Sequence, residues 1–192
     1  MKKYSLIGVA LLLAVLLATL LFWRSGDVVR APRLPAGADF VLQSADGEVD
    51  SKAMRGKVML IYFGYTHCPD VCPASLAAGG QAMKSLTPAE RASVRMLMVS
   101  VDPERDSVKH LKEYTAFFHP DMRGVTGSPQ QIADLAKAFG AGYIRQPAAA
   151  DGSYAVDHTT ATYVVNREGK LAAVLDLGVS NDRIVSTIRK LL

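Results

Sequence analysis

Val58-Met59-Leu60-Ile61-Tyr62-Phe63, followed by Gly64, is a continuous apolar run of strand length. An apolar run without alternation describes a strand covered on both faces, as in a parallel sheet between helices. After it, Pro73–Leu86 reads as a helix ending near Thr87-Pro88, and Val94–Val101 (VRMLMVSV) repeats the buried-strand pattern. Ser107–Phe118 reads as a second helix with Asp106 as its N-cap. Ser128-Pro129-Gln130-Gln131 opens a third: Ser128 caps, Pro129 takes the first helical position, Gln131 closes a capping box, and the helix runs to Phe139 and stops at Gly140. Toward the amino terminus, Phe40–Leu42 is a short strand and Asp46-Gly47 a turn. Toward the carboxyl terminus, Thr160–Asn166 and Leu171–Leu175 flank Arg167-Glu168-Gly169-Lys170, a hairpin signal. Asn181–Leu192 closes the chain with a helical stripe at Ile184, Val185, Ile188, Leu191 and Leu192. Strands separated by helices require crossovers and a parallel core sheet, to which the hairpin adds an antiparallel edge. The fold class is therefore α/β, a central mixed sheet flanked by helices.

With 192 residues, 49% of them hydrophobic, the chain exceeds a single domain of about 150 residues. The surplus is amino-terminal. Leu6 to Trp23 reads LIGVALLLAVLLATLLFW without a charge, and as a helix it would be ~27 Å long against a bilayer core of ~30 Å. A cleaved signal peptide would end its apolar stretch at a small-x-small site, whereas Trp23 and Arg24 follow here. The expected organisation is a cytoplasmic tail at 1–5, a transmembrane anchor at 6–23, a linker at 24–38 and a globular domain at 39–192. Lys2, Lys3 and the short tail favour the inner side for the amino terminus, which puts the domain outside.

The formal net charge of +4 resides in residues 1–33, where Lys2, Lys3, Arg24, Arg30 and Arg33 face one Asp27. Residues 34–192 hold 17 basic and 17 acidic side chains with no basic stripe, which speaks against nucleic-acid binding. Two cysteines exclude a disulfide framework, a four-cysteine zinc site and an iron–sulfur cluster held by four cysteines of one chain.

Both cysteines lie in Gly64-Tyr65-Thr66-His67-Cys68-Pro69-Asp70-Val71-Cys72-Pro73, where the buried strand passes into a helix. Sites in open α/β sheets fall at this end of the strands. A helix beginning near Cys68 would put both sulfurs on one face, and its amino terminus would favour thiolate. Three intervening residues permit a disulfide, so Cys68 and Cys72 suit a thiol–disulfide oxidoreductase, and they also permit two sulfurs on one metal ion. Two buried cysteines acting as small hydrophobes is the bland alternative. A third ligand is offered by Val156-Asp157-His158-Thr159, just before the hairpin, in the loop that this topology packs beside the cysteines. Thioredoxin-like oxidoreductases carry a cis-proline there, but no proline follows Pro147. Cys68, Cys72 and His158 suit copper, because thiolate selects Cu(I) and imidazole also accommodates Cu(II); zinc with an open position stays open. His67 reads as a neighbour that orients a ligand, His110 as solvated, and His119 as a cation at a helix end. A peroxidase would want an arginine beside the cysteine, and the motif has none. Val101-Asp102-Pro103-Glu104-Arg105-Asp106 reads as a charge-paired turn.

GYTHCPDVCP after an apolar strand, VSVDPERD after the next and DHTTATYVVNREGK near the end together resemble the Sco/SenC family. These are membrane-anchored copper proteins of cytochrome c oxidase assembly with a thioredoxin-like fold, and the likeness covers about residues 34–192. It implies copper ligation by Cys68, Cys72 and His158. It further implies a copper metallochaperone for the dinuclear site of oxidase subunit II, with a periplasmic copper donor upstream. The protein would be a single-pass protein of the bacterial inner membrane with its soluble domain in the periplasm. Reduction of cysteines in the subunit, or in other extracytoplasmic proteins, by Cys68 and Cys72 is the alternative activity.

Overall fold

The computed structural model describes residues 34–192 together with Val15, Leu17 and Thr19, which are helical. Apart from these three, the expected tail, the anchor and residues 24–33 of the linker lie outside the described residues. Among the described residues no helix is long and apolar enough to cross a membrane. Two compact units divide the chain, Met1–Arg33 and Leu34–Leu192, and the sheets belong to the second.

A hairpin of β1 (Val41–Ser44) and β2 (Gly47–Asp50) precedes β3 (Val58–Gly64). Then follow α1 (Val71–Lys84), α2 (Pro88–Ala92), β4 (Val94–Ser100), α3 (Val108–Phe118), β5 (Met122–Val125) and α4 (Pro129–Phe139). The chain continues through β6 (Tyr143–Arg145), β7 (Val156–His158), β8 (Thr162–Val165) and β9 (Leu171–Leu175) to α5 (Asn181–Arg189). The main sheet has the order β5-β4-β3-β8-β9. β3, β4 and β5 run parallel, while β8 is antiparallel to β3 and β9 to β8. The mixed α/β sheet read from the sequence is thus present, with β3 at its centre. Every residue of β3 is buried, which is why its sequence carries no alternation. Phe63, Phe139 and Tyr163 meet edge-on or tilted with centroids 5.6–5.9 Å apart and tie α4 to the sheet.

Local chemistry sets most boundaries. Ser128 and Gln131 close the expected capping box, and Gly140 takes the left-handed conformation at φ 72°. Thr87-Pro88 does more than end a helix: Thr87 and Glu90 form a second capping box that starts α2. Asp106 is not the cap of α3. Ser107 is, its side chain accepting from the His110 amide, and Asp106 turns inward. His119 is likewise not a cation at the surface. It is 4% exposed, its Nδ1 accepts from the Asp121 amide, and burial lowers its pKa, so it caps as a neutral ring. Residues 35–37 lie along the end of α4, with the Gly37 amide donating to the Ala138 carbonyl.

Candidate metal centre

The carboxyl end of β3 delivers the chain to the site. The Cys68 amide bonds the Tyr65 carbonyl, a turn that leaves Cys68 ahead of the helix. α1 begins at Val71, so the sulfurs do not share a helix face. They meet because the Cys72 amide, an unpaired donor of the first helical turn, points at Cys68 Sγ 3.4 Å away. Pro73 stands in that same first turn, where its missing N–H costs nothing.

Gly64 makes room for this. A Cβ there would lie 2.8 Å from Cys72 Sγ and 2.7 Å from Tyr62 Cε1. Gly64→Ala therefore pushes the sulfur away from its partners and should destabilise the domain by ~1–3 kcal/mol, the usual cost of overpacking. Chemical denaturation checks the stability, and the rate of Cys72 alkylation in the folded state, expected to rise, checks the displacement.

His158 arrives from outside the main sheet. It ends β7, which pairs with β6 in a separate two-stranded ribbon, Tyr143 opposite His158. His158 Nε2 lies 3.2 Å from Cys72 Sγ. Its Nδ1 is 3.0 Å from the Thr159 carbonyl, which can only accept, so Nδ1 carries the proton and Nε2 presents a lone pair. The rings of Tyr62 and Tyr65 stand edge-on to the imidazole at 6.0 and 5.8 Å. The Tyr65 hydroxyl also accepts from the Val156 amide, joining the cysteine loop to the ribbon.

The ligand atoms of Cys68, Cys72 and His158 all lie within 4.8 Å of one another. Among the described residues this is the one group of three or more such side chains that could hold a metal ion. The sequence-derived triad is thus brought together from both ends of the domain. A groove of about 410 Å³ leads to it, lined by Tyr65, Cys68, Pro69, Val71, Val156 and His158, with Asp70 and Asp157 at the rim. Cys72 is fully buried and Cys68 is 7% exposed, while His158 is half-buried. The thiolate expected from the helix amino terminus fails at Cys72. Burial dominates and pushes that thiol up to about 12.

The residues that hold the loop were not read as site residues. Asp106 is fully buried and accepts from the Thr66 amide (3.1 Å), Thr66 Oγ1 (2.6 Å) and Ser100 Oγ (2.6 Å). Arg105 pairs with Asp102 and lies over the Tyr154 ring at 3.5 Å, and Tyr154 donates to Asp102 at 2.8 Å. The Val101–Asp106 turn is charge-paired as expected. It also fastens the cysteine loop on one side and the ribbon on the other. The two aspartates four residues apart after a buried strand were the only signal.

The SCO1/SenC family model matches residues 30–192. The mitochondrial protein SCO2 homolog of Mus musculus is 36% identical over 172 residues, 88% of this chain and 68% of that protein. The chain spans 58% of the Bos taurus counterpart. Among solved structures, Bradyrhizobium japonicum ScoI, described with copper bound, is 33% identical with a TM-score of 0.75, covering 82% of this chain and 99% of that one. BsSco, described as a member of the Sco family of cytochrome c oxidase assembly proteins with a disulfide switch, is 27% identical with a TM-score of 0.67, covering 85% of this chain and 96% of that one. The sheet order, the triad and these likenesses agree on one conclusion: the chain belongs to the SCO1/SenC family.

Proposed function

We propose that this chain is a copper carrier of cytochrome c oxidase assembly, held by residues 6–23 in a bacterial inner membrane with its domain in the periplasm. Its cargo goes to the dinuclear copper site of oxidase subunit II. The observation that carries this reading is the convergence of two sulfurs and one imidazole Nε2 within 4.8 Å. Two thiolates and an imidazole form a soft donor set that suits copper in either oxidation state. Copper is cargo here, and exposure sets the order of exchange. An incoming ligand reaches half-buried His158 first and buried Cys72 last.

Loading must remove the proton from Cys72, whose thiol stays protonated up to about 12. Copper affinity therefore rises with pH, about tenfold per pH unit for each proton released. Competition titrations against a chelator at several pH values check this, and a flat profile would contradict it.

The functional test uses the full chain loaded anaerobically and mixed with metal-free oxidase subunit II. One sulfur-bound copper per chain and its appearance in the subunit are expected; retention by the carrier overturns the reading. A second reading, thiol reduction of the subunit, draws on the adjacency of two free cysteines. It prevails if a strain with His158→Ala assembles oxidase normally.

A further inference from the structure

His67 and His110 lie outside the triad, and their rings face one another across a short gap. His67 closes the loop before Cys68 and His110 sits in the first turns of α3; both are exposed, and their ring centres are 6.2 Å apart. The tautomer of His67 follows from its neighbours. Thr66 Oγ1 gives its proton to Asp106 Oδ1, so toward His67 Nδ1, 3.1 Å away, it can only accept. Nδ1 carries the hydrogen, a buried carboxylate stands behind it at 3.8 Å, and Nε2 is left with its lone pair. An oxygen acceptor fixes His158 in the same way, and outer-shell bonds of this kind orient metal-binding imidazoles in general. Among the described residues, the His110 imidazole makes no hydrogen bond or ion pair. Metal–imidazole bonds of about 2.0–2.1 Å place the centres of two rings on one ion roughly 4.5–6.4 Å apart as the angle at the metal opens from about 90° to 180°, and the observed 6.2 Å falls at the open end of that range.

We propose that His67 and His110 form a second, exposed copper site, a two-imidazole pair through which the ion passes between solvent or a partner and the buried triad. The proposal rests on the carrier reading above. His67 is peptide-bonded to Cys68, so an ion held by His67 waits one residue from a sulfur ligand. The step is ligand exchange only: imidazole–copper bonds break as sulfur–copper bonds form, the Cys72 thiol gives its proton to solvent, and the oxidation state is unchanged. Two ligands in water bind more weakly than the triad, as a transit site requires. Imidazole accepts several divalent ions, and the Irving–Williams order favours copper among them.

The test uses the full chain carrying Cys68→Ser and Cys72→Ser, which removes the buried sulfurs and their redox chemistry. Titration with Cu(II), followed by electron paramagnetic resonance, should give one ion per chain coupled to two imidazole nitrogens. Adding His110→Ala should lower that affinity by at least about tenfold and remove one nitrogen coupling, and His67→Ala should do the same. Undiminished affinity with both couplings retained in His110→Ala overturns the proposal, as does the absence of any bound ion in the parent. With both cysteines present, His110→Ala should keep the sulfur-to-copper absorption of the first equivalent. Loss of that absorption in the unmutated chain would instead sink the carrier reading.

Discussion

Replacing His158 by alanine should lower copper affinity by about a hundredfold or more while the melting temperature of the metal-free domain stays nearly unchanged. Loss of even an outer-shell partner of a metal ligand costs about 10–100-fold, and here a whole ligand is removed. The fold should tolerate the change because the imidazole is half-buried and ends a three-residue strand outside the main sheet. It bonds only to the adjacent Thr159 carbonyl and the Cys72 sulfur. Equilibrium competition with a copper chelator measures the first effect and calorimetry the second. Unchanged affinity would remove the ring from the site whatever its position.

Asp106→Ala should have the larger structural cost, about 3–5 kcal/mol. The carboxylate is fully buried and accepts from three donors, the Thr66 amide, the Thr66 hydroxyl and the Ser100 hydroxyl. Each donor stranded without water costs about 1–3 kcal/mol, and partial relaxation brings the total below the full sum. Urea denaturation gives the number. Because Thr66 lies two residues before Cys68, the variant that still folds should also show faster alkylation of Cys68. A loss below about 1 kcal/mol would mean that water replaces the carboxylate and that the network matters little.

The sequence disclosed those parts of the fold whose signal is local. β3 and β4 announce themselves because a central strand is apolar throughout. The capping box at Ser128 and Gln131 is a short-range hydrogen-bond pattern, and the hairpin around Gly169 is set by a turn with positive φ. The triad was legible because both cysteines sit in one motif and a histidine replaces an expected proline. What stayed hidden depends on distant partners or on very short elements. β6 and β7 have three residues each, too few for any period to appear. β5 contains Gly124, whose place against Leu111 is a packing fact rather than a propensity. Asp106 looked like a cap, since an aspartate before a helix ordinarily is one. Only the return of the cysteine loop, 40 residues earlier in the chain, gives its carboxylate better partners. The Cys72 thiol failed expectation for the same reason: a helix terminus is visible in sequence, while complete burial is not.

Cys72 and His158 stand 86 positions apart along the chain, yet their ligand atoms touch. An ion gripped by both acts as a clasp across nearly half the protein. A disordered chain has no such grip, so cargo favours the native form by mass action and makes its opening rarer. Copper-loaded chains should consequently outlast empty ones when proteases are present, so that loss of the ion shortens the life of the protein.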